Sequence, residues 1–303
     1  MLIWVPTDLV ASALDGLDGA GVEVVVPDDG ELPASAAEVE FYVPPFFAAP
    51  AALAVMARMP RLRVVQTLTA GFDKIRPHVP ADAVLCNARG VHDASTAEWV
   101  LTVMLAAIRQ IPFFAIEQAA GRWSYRYTET LAGKTVLIVG YGSIGKAVER
   151  RLTGFEVEIR RVARTARDGV SSVAGLPDLL PGADVVILLA PVTAETVAMV
   201  DKPFLALMKD GALLVNAARG VLVVTDDLVA ELKSGRLSAA MDVTDPEPLS
   251  PEHPLWNMPN VLITPHVGAS TPYSEEQAAL FVRAQSVRYL NGGPLANVIT
   301  GDY

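Results

Sequence analysis

Residues 135–145 read Thr-Val-Leu-Ile-Val-Gly-Tyr-Gly-Ser-Ile-Gly, and this stretch decides the fold. A short apolar run is followed by three glycines in the spacing Gly-x-Gly-x-x-Gly, and a helix-like segment covers 146–152. Gly140 permits a tight turn, Gly142 keeps side-chain atoms away from a pyrophosphate, and Gly145 lets the helix pack closely on the strand. The N–H groups and the positive dipole at the helix start can hold the phosphates. The stretch therefore predicts the strand, loop and helix of a dinucleotide site.

The strand after this helix ends without the acid that an NAD site uses. We expect that strand at 155–162 and the ribose-binding acid at Ala163, yet no Asp or Glu lies within three residues of Ala163. Residues 146–167 instead carry seven Lys or Arg and three Glu, a local net charge of +4 in a chain whose formal net charge is −10. Arginine forks suit the 2′-phosphate of NADP. This pattern favours NADP over NAD, with a solvated basic face as the alternative. The candidate phosphate contacts are Arg161, Arg164, Thr165 and Arg167.

The composition indicates a globular protein with a large core. The chain has 303 residues, of which 51% are hydrophobic and 19% charged, enough for two domains of ordinary size. Its acidic balance, with a pI of about 4.9, argues against nucleic acid or an anionic membrane as a partner. The single cysteine, Cys86, excludes an intramolecular disulfide and lies in an apolar run, so we expect a buried thiol.

Targeting and metal signals are not found in the sequence. The amino terminus has no basic segment before its short apolar run, and no apolar run is long enough to span a membrane. A cytoplasmic protein without membrane contact is therefore expected. Four histidines and one cysteine show no metal-ligand spacing, so no metal is expected.

Short apolar runs alternate with longer helix-like segments, the pattern of a parallel α/β sheet. The predicted fold is α/β, with two Rossmann-like, doubly wound parallel-sheet domains and an active-site cleft between them, at the carboxyl ends of the strands. The substrate domain is expected to comprise 1–95 and 273–303, and the dinucleotide domain 96–272. Long helices are expected at 93–111, limited by Pro112, and at 274–290. The predicted strands are 2–5, 22–26, 40–43, 63–67, 84–86, 136–139, 157–162, 185–189, 213–216, 239–242 and 261–263.

Three ionisable residues lie in loops that follow predicted strands of the second domain: Arg219, Glu247 and His266. Hydride transfer to a 2-oxo acid needs a cation for the carboxylate and the carbonyl oxygen, a proton donor for the developing alkoxide, and a carboxylate beside that donor. Arg219 suits the first task, His266 the second and Glu247 the third. Asp245 is a rival for the third task that spacing alone barely separates. Taken singly, each has an ordinary alternative: a surface arginine, a core histidine or a solvated loop acid.

These motifs together resemble the D-isomer-specific 2-hydroxyacid dehydrogenases. The resemblance runs from about Val64 to Leu290 and rests on four segments: 140–145, Asn216-Ala-Ala-Arg-Gly220, 241–249 and Thr264-Pro-His-Val-Gly268. It implies hydride transfer between NADP(H), with NAD as second choice, and a small 2-oxo or 2-hydroxy acid, with glyoxylate or hydroxypyruvate as the expected substrate. It also implies Glu247 as the partner of His266. A homodimer formed through the dinucleotide domain is implied as well, for which the apolar helix 98–111 is a candidate interface.

The resemblance further assigns residues around this triad. It makes 69–73 the substrate loop, in which the Ala70 and Gly71 amides meet the substrate carboxylate together with Arg219. Asp242 is implied to hold the nicotinamide carboxamide. Residues before Val64 match the family poorly, and 41–47 is either an aromatic pocket wall or a packed turn. The full set of candidate dinucleotide contacts is Thr96, Gly140, Tyr141, Gly142, Ser143, Ile144, Gly145, Arg161, Arg164, Thr165, Arg167, Ala190, Pro191, Ala217, Ala218, Asp242, His266 and Gly268.

Two other functions fit the same residues. A phosphite or other small-acid dehydrogenase can use the same scaffold, whereas formate-oxidising relatives carry glutamine in place of Glu247. Dehydrogenase-like regulatory proteins bind dinucleotide and can keep all three residues of the triad. Measurable turnover separates the enzymes from the regulatory class.

Overall fold

The computed structural model describes residues 1–28 and 32–301. The strands are β1 (Leu2–Val5), β2 (Gly21–Val24), β3 (Val39–Tyr42), β4 (Val64–Gln66), β5 (Val84–Cys86), β6 (Thr135–Val139), β7 (Glu158–Ala163), β8 (Ser171–Ser172), β9 (Val185–Leu188), β10 (Leu213–Asn216), β11 (Ser238–Met241) and β12 (Val261–Ile263). The α-helices are α1 (Asp8–Ala13), α2 (Pro50–Ala54), α3 (Asp93–Ile108), α4 (Ile111–Ala119), α5 (Ser143–Leu152), α6 (Leu176–Leu179), α7 (Lys202–Leu207), α8 (Thr225–Ser234) and α9 (Pro272–Leu290). Among these residues, no single helix has the length and apolar character to cross a membrane, although α3 and α4, bent by 67°, pass that test as a pair.

The first unit, Met1–His92 with Thr271–Tyr303, contains one parallel sheet in the order β2-β1-β3-β4-β5. Successive side chains of β1 point to opposite faces of this sheet. Ile3 shares an apolar cluster with Val10 of α1 and Val282 of α9, whereas Trp4 belongs to a second cluster with Leu53 of α2. Helices therefore cover both faces of the sheet.

The second unit, Asp93–Ser270, contains a parallel sheet in the order β12-β11-β10-β9-β6-β7-β8. Every residue of β6 is buried. Leu137 and Val139 belong to one apolar cluster and Val136 and Ile138 to another, so both faces are covered and the strands are almost continuously apolar. The chain runs outward in opposite directions from the β6–β9 boundary. Open α/β sheets bind ligands at the carboxyl ends of the strands beside such a reversal.

The predicted fold class of two parallel, doubly wound sheets is confirmed, and the observed strand ends lie within three residues of the predicted ones. The two-residue strand β8 was not predicted, because so short a strand carries no periodic pattern. The prediction of one helix over 93–111 is wrong: α3 ends at Ile108, Gln110 has a φ of 52°, and Pro112 lies in the first turn of α4. Proline is favoured there because an N–H at that position has no helical acceptor.

Candidate active site

Six loops at one edge of the second sheet carry most of the predicted site residues. Because neighbouring strands are parallel, the carboxyl ends of β6, β7, β9, β10, β11 and β12 lie at the same edge. The glycine motif follows β6 and the basic segment follows β7. Arg219 follows β10, Glu247 follows β11 and His266 follows β12. The topology therefore gathers the motif, the basic segment and the three ionisable residues at one edge.

The glycine motif forms a turn that only glycine can complete. Gly140 has a φ of 107°, and a Cβ there would lie 2.3 Å from the carbonyl carbon of Leu189. A Cβ on Gly145 would lie 2.9 Å from the Gly140 carbonyl oxygen, whereas a Cβ on Gly142 would meet no atom within 4 Å. The space beside Gly142 is thus open at the point where α5 begins with Ser143, and the first N–H groups of a helix lack helical acceptors. These residues fit the pyrophosphate of a dinucleotide.

The basic segment after β7 is tied to the glycine motif by side-chain bonds. Arg161 donates from Nε to Glu149 at 2.8 Å and from Nη2 to the other oxygen of the same carboxylate, and the Tyr141 hydroxyl donates to this carboxylate too. Arg167 donates from Nη2 to the Tyr141 carbonyl oxygen at 2.6 Å. The bond from Arg161 lowers the pKa of Glu149, and burial raises the pKa of the Tyr141 hydroxyl. Sequence reasoning missed Glu149, since nothing in the local pattern distinguishes it from a solvated helix acid.

Other predicted dinucleotide contacts lie after β7, β9 and β10 and at the start of α3. Arg164 and Thr165 are exposed after β7. Thr96 is buried in the first turn of α3, which packs against β10, β11 and β12. Ala190 and Pro191 lie just after β9, and Ala217 and Ala218 follow β10 directly.

His266 and Glu247 form a close pair. The His266 Nδ1 atom lies 2.6 Å from Oε1 of Glu247, and the two side chains are about one-third exposed. A carboxylate only accepts hydrogen bonds, so Nδ1 carries the proton and donates. The Nε2 atom is then the acceptor in the neutral ring and a donor in the protonated ring. The pair can therefore present an oriented acid–base group.

The backbone of His266 is held by Asp242, which lies after β11 and is 5% exposed. His266 has a φ of 55°, in the left-handed region that disfavours non-glycine residues, and its N–H donates to the Asp242 carbonyl oxygen at 2.7 Å. The Asp242 carboxylate accepts from the Thr264 hydroxyl at 2.6 Å, from the Val267 N–H at 2.8 Å and from the Gly268 N–H at 2.7 Å. Three donors on one buried carboxylate fix the loop around His266. Sequence reasoning assigned Asp242 only to the cofactor and missed this role.

Arg219 lies in a loop that Asn216 and Gly220 shape. The Asn216 side chain accepts from the Ala218 N–H and donates to the Arg219 carbonyl oxygen, both at 3.0 Å. A Cβ on Gly220 would lie 2.0 Å from the carbonyl oxygen of Thr244. The Arg219 loop therefore packs, backbone against backbone, on the loop that carries Glu247. Sequence reasoning quoted Asn216 and Gly220 as part of a motif without giving them these tasks.

The predicted substrate loop belongs to the first unit. The Thr69 carbonyl oxygen accepts from the Ala88 N–H at 2.9 Å, and the Ala70 carbonyl oxygen accepts from Asn87 Nδ2 at 2.7 Å. In a trans peptide the C=O and the following N–H point in opposite directions. The N–H groups of Ala70 and Gly71 therefore point away from Asn87 and Ala88. The fold of this unit sets the direction of both predicted N–H donors.

Comparisons with known proteins give a consistent picture. Residues 101–268 match the model of the D-isomer specific 2-hydroxyacid dehydrogenase NAD-binding domain. Over 78% of this chain, the sequence is 32% identical to a glyoxylate reductase of Pyrococcus furiosus, of which it covers 76%. It is also 32% identical, over 78% of its length, to a D-3-phosphoglycerate dehydrogenase of Archaeoglobus fulgidus, and it spans only 47% of that longer protein.

A solved structure agrees with these matches. The NADPH-dependent glyoxylate/hydroxypyruvate reductase A of Sinorhizobium meliloti, determined with NADP and sulfate, superposes with a TM-score of 0.84 at 28% identity, covering 98% of this chain and 97% of the other. The family model spans more than half of the chain, and the glyoxylate reductase match covers more than two-thirds of both sequences. The chain therefore belongs to the D-isomer-specific 2-hydroxyacid dehydrogenase family.

Proposed function

We propose that this protein is an NADPH-dependent reductase of small 2-oxo acids, with glyoxylate or hydroxypyruvate as substrate. The observation that carries this proposal is the 2.6 Å pair of His266 and Glu247 at the sheet edge that also holds the glycine motif and Arg219. The names of the Pyrococcus furiosus and Sinorhizobium meliloti relatives support the substrate class. Ala163 stands where an NAD site has its ribose-binding acid, and this supports NADP(H) as the cofactor.

The chain's own residues then divide the reaction between them. The Arg219 guanidinium binds the substrate carboxylate and polarises the reacting carbonyl oxygen. His266 donates a proton from Nε2 to that oxygen as negative charge develops on it, while Glu247 keeps Nδ1 protonated and the ring oriented. NADPH, when bound, supplies the hydride. The N–H groups of Ala70 and Gly71 are assigned to the same carboxylate as Arg219.

The cofactor assignment follows the sheet edge. The glycine motif holds the pyrophosphate, and Arg164, Thr165 and Arg167 bind the 2′-phosphate. Asp242 would hold the nicotinamide carboxamide; one of its oxygens accepts from Thr264 and Val267, and the other accepts only from Gly268 among the bonds described. The other contacts assigned to the cofactor are Thr96, Ala190, Pro191, Ala217, Ala218, His266 and Gly268.

We assign self-association to the outward face of segment 121–127, which we call the aromatic face. Trp123, Tyr125 and Tyr127 are 99%, 78% and 89% exposed. The intervening Ser124 and Arg126 bond to side chains of α4 and of the residue before it. Exposed aromatic side chains in a row are typical of an interface centre. We infer that the occupant is a second copy of this chain, in keeping with the homodimer that the family resemblance implies. The neighbouring side chains Arg122 and Glu129 carry opposite charges and pair with Glu117 and Lys134 of the same chain.

The helix 98–111, which the family resemblance implied, stays a candidate for part of the same interface. In α3, the apolar residues Val100, Val103 and Met104 are buried in the core of their own unit. These three side chains are unavailable to a partner, whereas Leu101, Leu105 and Ile108 are only partly buried. The adjoining Ile111 is 53% exposed.

A substrate panel tests the proposal. A set of 2-oxo acids assayed with NADPH and with NADH is expected to show turnover of glyoxylate or hydroxypyruvate, with a clearly higher kcat/KM for NADPH. His266→Ala serves as the control and is expected to lower kcat by roughly 10²–10⁴ without weakening NADPH binding. Equal or better use of NADH contradicts the cofactor assignment. NADPH binding without turnover of any acid favours a regulatory protein.

A further inference from the structure

Arg161 is placed where it could reach a 2′-phosphate. It pairs in register with Ile138 of β6, so it faces the α5 side of the sheet. Ala163, the position of the acid in an NAD site, lies two residues further along β7 and therefore on the same face. Two residues of a parallel strand span roughly 6.6 Å, a distance that an arginine side chain covers. By position alone, Arg161 would be the third arginine at the phosphate, beside Arg164 and Arg167.

The donors of Arg161 are directed elsewhere. Its Nε and Nη2 atoms both donate to Glu149, and Nη1 donates to the Ile159 carbonyl oxygen at 3.3 Å. The pair is partly buried, with Arg161 28% and Glu149 22% exposed. The Tyr141 hydroxyl adds a third bond to the carboxylate, and the Arg161 guanidinium lies 5.7 Å from the centre of the Tyr141 ring. Such a bidentate, partly buried pair holds its geometry better than an exposed one.

We propose that Glu149 is a specificity-determining residue, which withholds Arg161 from the cofactor and so limits the affinity for the 2′-phosphate. This inference rests on the proposed NADP(H) site. The Glu149 carboxylate binds the donors of the Arg161 guanidinium. It also places a negative charge near the doubly charged 2′-phosphate. Arg164 and Arg167 then carry the discrimination that remains.

The test is the dissociation constant of each reduced cofactor, measured by its fluorescence on titration with protein. Glu149→Gln keeps an acceptor for the Tyr141 hydroxyl but removes the charge that holds Arg161. One regained charge-assisted contact is worth roughly 1.5–3 kcal/mol when fully formed, and the lower end applies at a partly exposed site, so NADPH should bind about tenfold more tightly. The NADH constant should change by less than about twofold, because NADH lacks the phosphate. High salt should reduce the gain.

Glu158→Gln is the matched control. Glu158 pairs with Arg160 in the same strand at 2.8 Å, but Arg160 points to the opposite face and lies against Gly182. This variant changes the net charge by the same amount, nine residues further along the chain. It should leave the dissociation constant of NADPH unchanged. An equal gain in Glu158→Gln would overturn the proposal in favour of a general charge effect.

The double variant Glu149→Gln with Arg161→Gln replaces the ion pair by two neutral amides and tests whether Arg161 mediates the gain. Its NADPH constant should return to within about threefold of the wild-type value, since the released guanidinium is gone. A persisting gain would show that Arg161 is not the mediator, and a loss of about tenfold would show that Arg161 already binds the phosphate. Unchanged or weaker NADPH binding in Glu149→Gln also overturns the proposal. The proposed cofactor is judged separately, from the wild-type constants for NADPH and NADH.

Discussion

Replacing Asp242 with asparagine tests whether this residue positions His266 independently of any cofactor. The amide keeps one oxygen, which can still accept from the Thr264 hydroxyl and the Val267 N–H. Its NH₂ group then faces the Gly268 N–H, a donor opposite a donor, at a buried position. A lost charge-assisted bond costs roughly 1.5–3 kcal/mol, and an unpaired buried donor about 1–3 kcal/mol. We expect a total near 3 kcal/mol, because the two costs overlap and the loop relaxes.

The assay is thermal unfolding of the cofactor-free protein followed by steady-state kinetics. For a unit of this size, about 3 kcal/mol corresponds to a fall in Tm of roughly 6–12 °C. Relaxation of the left-handed backbone at His266 should also separate it from Glu247 and lower kcat. Asp245→Asn is the control, since Asp245 is an exposed acid in the same loop and its carboxylate makes none of these bonds. The reasoning is refuted if the Asp242 variant melts within about 1 °C of this control.

Three further outcomes are expected. Arg219→Lys should raise KM for 2-oxo acids and lower kcat while the NADPH dissociation constant is unchanged, because lysine keeps the charge but lacks the planar fork; wild-type turnover would remove Arg219 from the site. Burial raises the pKa of the Cys86 thiol to about 11, so about one thiol in a thousand is ionised at pH 8, and a disulfide reagent should label native protein far more slowly than unfolded protein. Trp123→Ser should weaken the dimer by about 30-fold in sedimentation velocity, as expected for a central aromatic worth about 2 kcal/mol, and a monomeric wild-type protein would contradict the assigned interface.

The sheet architecture was predictable because its signals are local. A buried parallel strand is apolar at nearly every position, and the run 136–139 ends at glycines whose spacing is dictated by a turn and by close packing. Gly140 illustrates this: its backbone lies so near Leu189 that any Cβ would overlap it. The requirement acts on one residue and is therefore visible in the sequence.

The break between α3 and α4 shows where local signals become ambiguous. Pro112 is compatible with the end of one helix and with the first turn of the next. Which of the two occurs depends on Gln110, whose backbone is left-handed. Glutamine has no marked preference for that conformation, so the sequence does not indicate it. The apolar pattern continues on both sides of the break, although α3 is packed in the core and Ile111, Ile116 and Trp123 are exposed.

In the candidate site, the residue types could be predicted from the sequence, whereas the arrangement that holds them could not. The chemistry of Arg219, Glu247 and His266 could be inferred from residue types in strand-end loops. The groups that hold them could not, because each works across a distance in the chain that only packing closes. Asp242 organises residues 22 to 26 positions later, and Glu149 binds an arginine 12 positions later on another element. A histidine with a φ of 55° is unfavourable in isolation, so its conformation depends on the buried carboxylate that receives the neighbouring N–H groups. The acid–base geometry is thus a property of the whole loop, and a substitution at Asp242 should disturb it although neither Glu247 nor His266 is itself replaced.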